Sequence, residues 1–216
     1  MLAYFLSILY KLKELIMDAD TKEKTMNRKP QSVPLEKSYL LLNHGPVTLV
    51  SSASGDRTNV MAAAWAMPLD FDPPKVLLVI DRQTLTRELV DASGEFALSI
   101  PCRAIADKVL AAGNCSGRAG DKFVRTGLEF FAATQVRAPL IKECVAWLEC
   151  RVIRNPDNQQ RYDLFIAEVV AAWADPQVFS DGRWQLTDSS LKTIHYQADG
   201  TFFETGEAFE CPEVHE

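Results

Sequence analysis

Short apolar runs of strand length recur along this 216-residue chain, and they do not alternate with helices in any regular way. Residues 46–52 (PVTLVSS) alternate as a half-buried strand does, and Ser54-Gly55-Asp56 supplies a turn after them. Residues 76–80 (VLLVI) are continuously apolar, as in a central strand. Residues 96–100 (FALSI) close on Pro101, and 145–153 and 162–173 are rich in Val, Ile and aromatics. Asp199-Gly200 between 193–196 and 201–203 predicts a hairpin. Two helices interrupt the strands. One spans 84–92, with Thr84 as its cap, Leu85 and Leu89 at helical spacing and Gly94 as its stop. The other spans 104–112 and ends at Gly113. Six or more strands with inserted helices predict a mainly β fold with helical insertions, a barrel or sandwich rather than a doubly wound sheet.

Composition narrows the class. With 47% hydrophobic and 24% charged residues, the chain reads as an ordinary globular protein. A formal charge of -6, and no basic stripe with interleaved aromatics, argue against nucleic acid as a partner. Cys102, Cys115, Cys144, Cys150 and Cys211 are an odd set with no Cys-x-x-Cys pair. Cys144 and Cys150 would stand about 20 Å apart along one strand, too far to bond. Reduced thiols in a cytoplasmic protein follow. His44, His195 and His215 lie far apart, so no zinc site is expected.

At the N-terminus, residues 1–17 place Leu2, Leu6, Leu9, Leu12, Leu15 and Ile16 at helical spacing, which predicts an amphipathic helix. Its apolar run is too short for a membrane span, which needs roughly twenty residues. Its lysines follow that run, where a signal peptide would carry them before it. A start at Met26 is the alternative, with the preceding residues an extension. Residues 18–34 read as a polar linker, so the expected division is 1–34 and 35–216.

No Gly-x-Gly-x-x-Gly follows a strand, and neither a Walker loop nor His-Glu-x-x-His occurs. Gly113-Asn114-Cys115-Ser116-Gly117 has the spacing of a nucleophile elbow, but an elbow needs a strand before it and the pattern here places a helix there. A glycine-rich loop is the better reading. A hydrolase with Cys115 as nucleophile is the reading it displaces.

The blocks that remain form a recognisable order. Thr58-Asn59-Val60-Met61-Ala62-Ala63-Ala64-Trp65 precedes Asp72-Pro73-Pro74, and Arg82-Gln83-Thr84-Leu85-Thr86-Arg87-Glu88-Leu89 leads into Ser93-Gly94-Glu95-Phe96-Ala97-Leu98-Ser99-Ile100-Pro101. Ser116-Gly117-Arg118, Asp121-Lys122-Phe123, Ala138-Pro139-Leu140 and His195-Tyr196 follow. In order and spacing, from about Val47 to about Phe203, these blocks resemble the flavin reductase-like family with the FMN-binding split β-barrel, the flavoredoxin-like group. The resemblance implies an FMN-binding oxidoreductase, an NAD(P)H-dependent flavin reductase in which nicotinamide passes hydride to flavin N5. It also implies a homodimer with the flavin near the subunit boundary. A flavoredoxin-like electron carrier and a non-catalytic flavin-binding or haem-binding module are the alternatives.

Residue chemistry can be set beside that resemblance. A phosphate needs hydroxyls, backbone N–H groups and a cation, and Arg82, Thr84 and Thr86 offer these at a strand-to-helix junction. Ala62, Ala63 and Ala64 suit a backbone that approaches a flat ring closely, and Asn59 would reach the ribityl chain or ring edge. Trp65 is expected in the core at the ring's border. Ser99 and Ile100 match a family position beside the flavin. Asp121, Lys122 and Phe123 resemble a loop over the cofactor, with Lys122 near the phosphate. His195 is carried as a contributor near the nicotinamide or flavin.

Overall fold

The computed structural model describes residues 30–42 and 45–211, and the predicted N-terminal helix over 1–17 lies outside them. One antiparallel sheet organises the chain. Its main strands are β2 (Thr48–Ser54), β3 (Arg57–Ala63), β4 (Ala66–Phe71), β5 (Pro74–Val79), β6 (Glu95–Ile100), β9 (Ala146–Ile153) and β10 (Leu164–Ala174). They run in the spatial order β3-β2-β6-β9-β10-β5-β4, and a short β1 (Gln31–Ser32) adds to β10. The two ends of that path, β3 and β4, are consecutive in sequence and joined only by Ala64-Trp65. A sheet whose ends meet in this way must curl back on itself, which makes an open barrel with a seam at that join.

Burial follows strand position. β5 alternates buried and half-buried residues, whereas β2 and β6 are buried along almost their whole length. Helices cover that region: α1 (Leu85–Ser93) packs on β2 and β3, and α2 (Ala106–Asn114) and α3 (Lys122–Thr126) both pack on β3. The hydrophobic interior includes Leu49, Val60, Leu78, Phe96, Leu98, Trp147 and Phe165. Smaller ladders complete the molecule: β7 (Phe130–Phe131) with β8 (Leu140–Ile141), β11 (Phe179–Ser180) with β12 (Arg183–Trp184), and the hairpin β13 (Ile194–Ala198) with β14 (Thr201–Glu204).

Two expectations change. The stretch read as linker ends in structure, because Gln31–Ser32 pair with β10 and Val33 is buried in the core. Gly113 does not stop α2; the helix runs through Asn114, and a Cβ on Gly113 would stand 3.5 Å from that of Ala62. The glycine lets α2 lie close on β3. A third structure was not expected: α4 (Pro156–Tyr162), capped by the Asn155 side chain, precedes β10.

Candidate functional site

β3 carries the site, because three helices converge on it. Where α1 begins, Thr84 caps the helix by accepting the N–H of Arg87 at 3.1 Å, and its hydroxyl donates to the Asp81 carbonyl at 2.8 Å. Thr86, the second residue of α1, is fully buried and accepts the Asn59 side-chain amide at 2.8 Å, which ties α1 to β3. From the far side come the end of α2 and the turn after it. Asn59, Ala62, Thr84, Thr86, Ser116 and Lys122 thereby line one cleft of about 430 Å³.

Lys122 is the cation of that cleft. It is only 6% exposed, and its Nζ donates to the Ala112 carbonyl at 2.7 Å. An ammonium has three protons, so capacity remains for an anion. Burial pulls its pKa below the usual lysine value; the nearby Cys115 thiol opposes that shift and Arg125 adds to it. Gly117 sets the width of the cleft. A Cβ there would come within 2.9 Å of Leu85 Cδ2 and of Asn59 Cγ.

A second cleft, of about 280 Å³, opens on the far side of Ala62, Gly113 and Asn114, which line both. Its walls are apolar: Val47, Ala63, Ala64, Leu110, Tyr196 and Phe202, with the last two rings edge to face at 5.3 Å. A polar pocket that holds Lys122 and Asp81 thus adjoins an apolar one across a floor of alanine and glycine.

Several residues singled out in the sequence stand elsewhere. Arg82 does not line the cleft. Its Nη2 donates to the Gln160 carbonyl at 2.9 Å and its Nε lies 3.3 Å from Asp163, both supplied by the unforeseen α4 and its end. Asp163 also takes Arg87 at 3.0 Å; burial pushes its carboxyl up, but Arg87 and Arg82 outweigh this and hold it below the usual range. Trp65, expected in the core, is 73% exposed, because it sits at the seam where β3 hands over to β4. Ser99 and Ile100 are fully buried on β6, which β2 separates from β3; the Ser99 hydroxyl accepts the Ile141 N–H. Phe123 is buried against Phe130 at 4.6 Å.

Asp121 spends its carboxylate on the N–H groups of Phe123 and Val124 and lines a third groove. His195 sits 3.4 Å from the Thr205 hydroxyl. Successive strand residues face opposite sides, so the side that brings Tyr196 to the apolar cleft turns His195 away from it. Cys115 lines the polar cleft, but α2 and not a strand precedes it, so no nucleophile elbow forms. Ser116 and Gly117 were legible only as members of a conspicuous block; their side of the cleft depends on the turn after α2. Among the described residues no cluster of His, Cys, Asp and Glu could hold a metal ion, and no helix is long and apolar enough to cross a membrane.

Known proteins share this architecture. The uncharacterized protein YddH of Escherichia coli is 42% identical over 179 residues, covering 81% of this chain and 95% of its own length. The FMN-binding domain of a flavin reductases-like enzyme from Shewanella baltica superposes with a TM-score of 0.84 at 42% identity, covering 86% of this chain and 98% of that one. The flavoredoxin of Desulfovibrio vulgaris superposes at 0.68 with 27% identity, covering 77% of this chain and 89% of its own. Residues 41–194 match the flavin reductase like domain, and the chain belongs to that family.

Proposed function

We propose that this protein binds FMN across the two joined clefts and works as an NAD(P)H-dependent flavin reductase. The observation that carries this reading is the cleft in which buried Lys122 stands with Thr84 and Thr86 at the start of α1 and Ser116 in the turn after α2, and which opens onto the Ala62–Ala64 floor. FMN needs a cation with hydroxyl and N–H donors at one end and a flat apolar wall at the other, and the donor set fits it. The fit also explains the side-chain chemistry. Lys122 would neutralise the phosphate without solvent screening, and Asn59, fixed by Thr86, would orient the ribityl chain or ring edge. The alanine methyls and the Tyr196–Phe202 pair would exclude water from the ring. Bound there, FMN would supply a hydride acceptor, so few acid–base groups are asked of the chain.

We read the partner as a second copy of the chain. Trp65, Met67 and Leu69, on and beside the sheet-edge strand β4, are exposed apolar side chains directly continuous with the cleft wall. A cytoplasmic setting agrees with an odd set of five cysteines that holds no Cys-x-x-Cys pair.

The test is anaerobic mixing of FMN-loaded protein with NADH or NADPH, followed by absorbance of the flavin. Rapid bleaching is expected. Flavin that binds but is not bleached would leave the electron-carrier reading, which the likeness to a flavoredoxin favours, or a non-catalytic module. Protein that takes up no FMN in calorimetry would end all three.

A further inference from the structure

One wall of the polar cleft is a short length of chain between two helices. Residues 115–120 link the end of α2 to Asp121, which caps α3, and they bring Cys115, Ser116 and Gly117 to the cleft lining. Behind them lies a groove of about 500 Å³ that also takes in Arg57, Arg118 and Gly120. Leu85 and Gly117 line both spaces, so open volume lies on either side of this strap. Gly120 ends it at φ 136°, a backbone conformation that other residues rarely adopt.

The strap has few ties. Inside it, the Ala119 N–H donates to the Ser116 carbonyl at 3.1 Å and the Arg118 N–H to the Ser116 hydroxyl at 3.2 Å. Among the described residues one polar contact joins it to α1 or β3: Arg118 Nη1 donates to Glu88 Oε2 at 2.8 Å. Arg57, at the start of β3, donates to the other Glu88 oxygen at 2.6 Å and so fixes the carboxylate from outside the strap. These two arginines, Arg57 ahead of Arg118, hold the Glu88 carboxyl below its usual range, and it stays ionised near neutral pH. The Glu88 and Arg118 side chains are 42% and 51% exposed, where an ion pair is weak and salt weakens it further. A weak ionic tie suits a closure that opens and shuts repeatedly. Ser116 links it to the cleft, because its hydroxyl accepts from Arg118 and keeps its own proton for a ligand. A ligand held by Ser116 thereby steadies the residue that bears the tie. We propose that residues 115–120 form a strap that lifts to admit ligand to the polar cleft, and that the Glu88–Arg118 pair latches it shut. The proposal rests on the reading of that cleft as the phosphate end of a flavin site, which makes FMN the ligand whose passage it controls.

The test uses the full chain as wild type, Glu88→Gln, Arg118→Gln and the double variant. Amide hydrogen exchange over residues 115–120 is read by mass spectrometry without ligand, and FMN release is timed by the rise of flavin fluorescence on dilution. Both are expected to run about three- to fivefold faster in either single variant, the most that one exposed ion pair supplies. The double variant should be no faster than either single one, because all three lose the same pair. Added salt should speed exchange over the strap in wild type and leave it unchanged in the variants. Exchange that is unaltered in both single variants would overturn the latch. Faster exchange with unaltered FMN release would overturn the strap as the way in. Protein that takes up no FMN, while the same amides still exchange faster in the variants, would sink the flavin reading and leave the latch standing. Arg118→Gln alters only an exposed turn, so it keeps the test readable should Glu88→Gln disturb α1.

Discussion

Lys122 is the buried cation of the cleft proposed to take the phosphate, and its ionisation gives that proposal a sign. Burial lowers its pKa, so the folded chain releases this proton at a lower pH than the unfolded chain does. Between the two values the unfolded state holds more protons, and the stability of the ligand-free protein attributable to this group rises with pH. A bound phosphate favours the ammonium, so FMN affinity should fall as pH rises through the lowered pKa that Lys122 has in the ligand-free fold. Lys122→Met should bind FMN about ten- to a hundredfold more weakly and lose that pH dependence, whereas Arg82→Ala should change affinity less than about threefold. Titration of both variants across that pH range decides the matter, and an unaltered pH profile in Lys122→Met would count against the assignment. Sequence alone could place the lysine in a cofactor-facing block, yet could not choose between it and Arg82. That choice depended on α4, whose carbonyl and Asp163 capture the arginine.

Elements differed in how readable they were, and the reasons are physical. α1 declared itself because Thr84 caps it, its buried face repeats at helical spacing and Gly94 ends it in the left-handed region at φ 71°. α4 carries a good start signal, Asn155 followed by Pro156, but none of its residues is buried, so no apolar period marked it. The turn after α2 was visible as glycine-rich, but its task was not. Gly117 has no unusual φ; it is needed because Leu85 and Asn59 leave no room for a side chain. Gly117→Ala should therefore cost about 1–3 kcal/mol and loosen the Asn59–Thr86 bond, weakening FMN as well. Thermal melts and FMN titration against Gly206→Ala, where nothing stands within 4 Å of the added methyl, would check it. Equal behaviour of the two variants would contradict the tight approach.

At the scale of the whole molecule, strand order was not legible. Alternation and turns can announce strands, but the pairings of β10 with β5 and of β6 with β9 join residues far apart in sequence. Trp65 reads as core in the sequence for the same reason, since an aromatic in an apolar run does not reveal that it stands where the sheet ends. If that edge is the seat of a second copy, the purified protein should sediment as a dimer, and Trp65→Ser with Met67→Ser should shift it to monomer. A monomeric wild type at micromolar concentration would exclude the pairing.

Ala64 of the apolar cleft wall is joined directly to Trp65 of that edge, so a second copy seated on the edge would be coupled to the cleft. Such a connection is reciprocal. If copies do pair on that edge, diluting them apart should release the yellow ligand, and supplying more ligand should draw them back together.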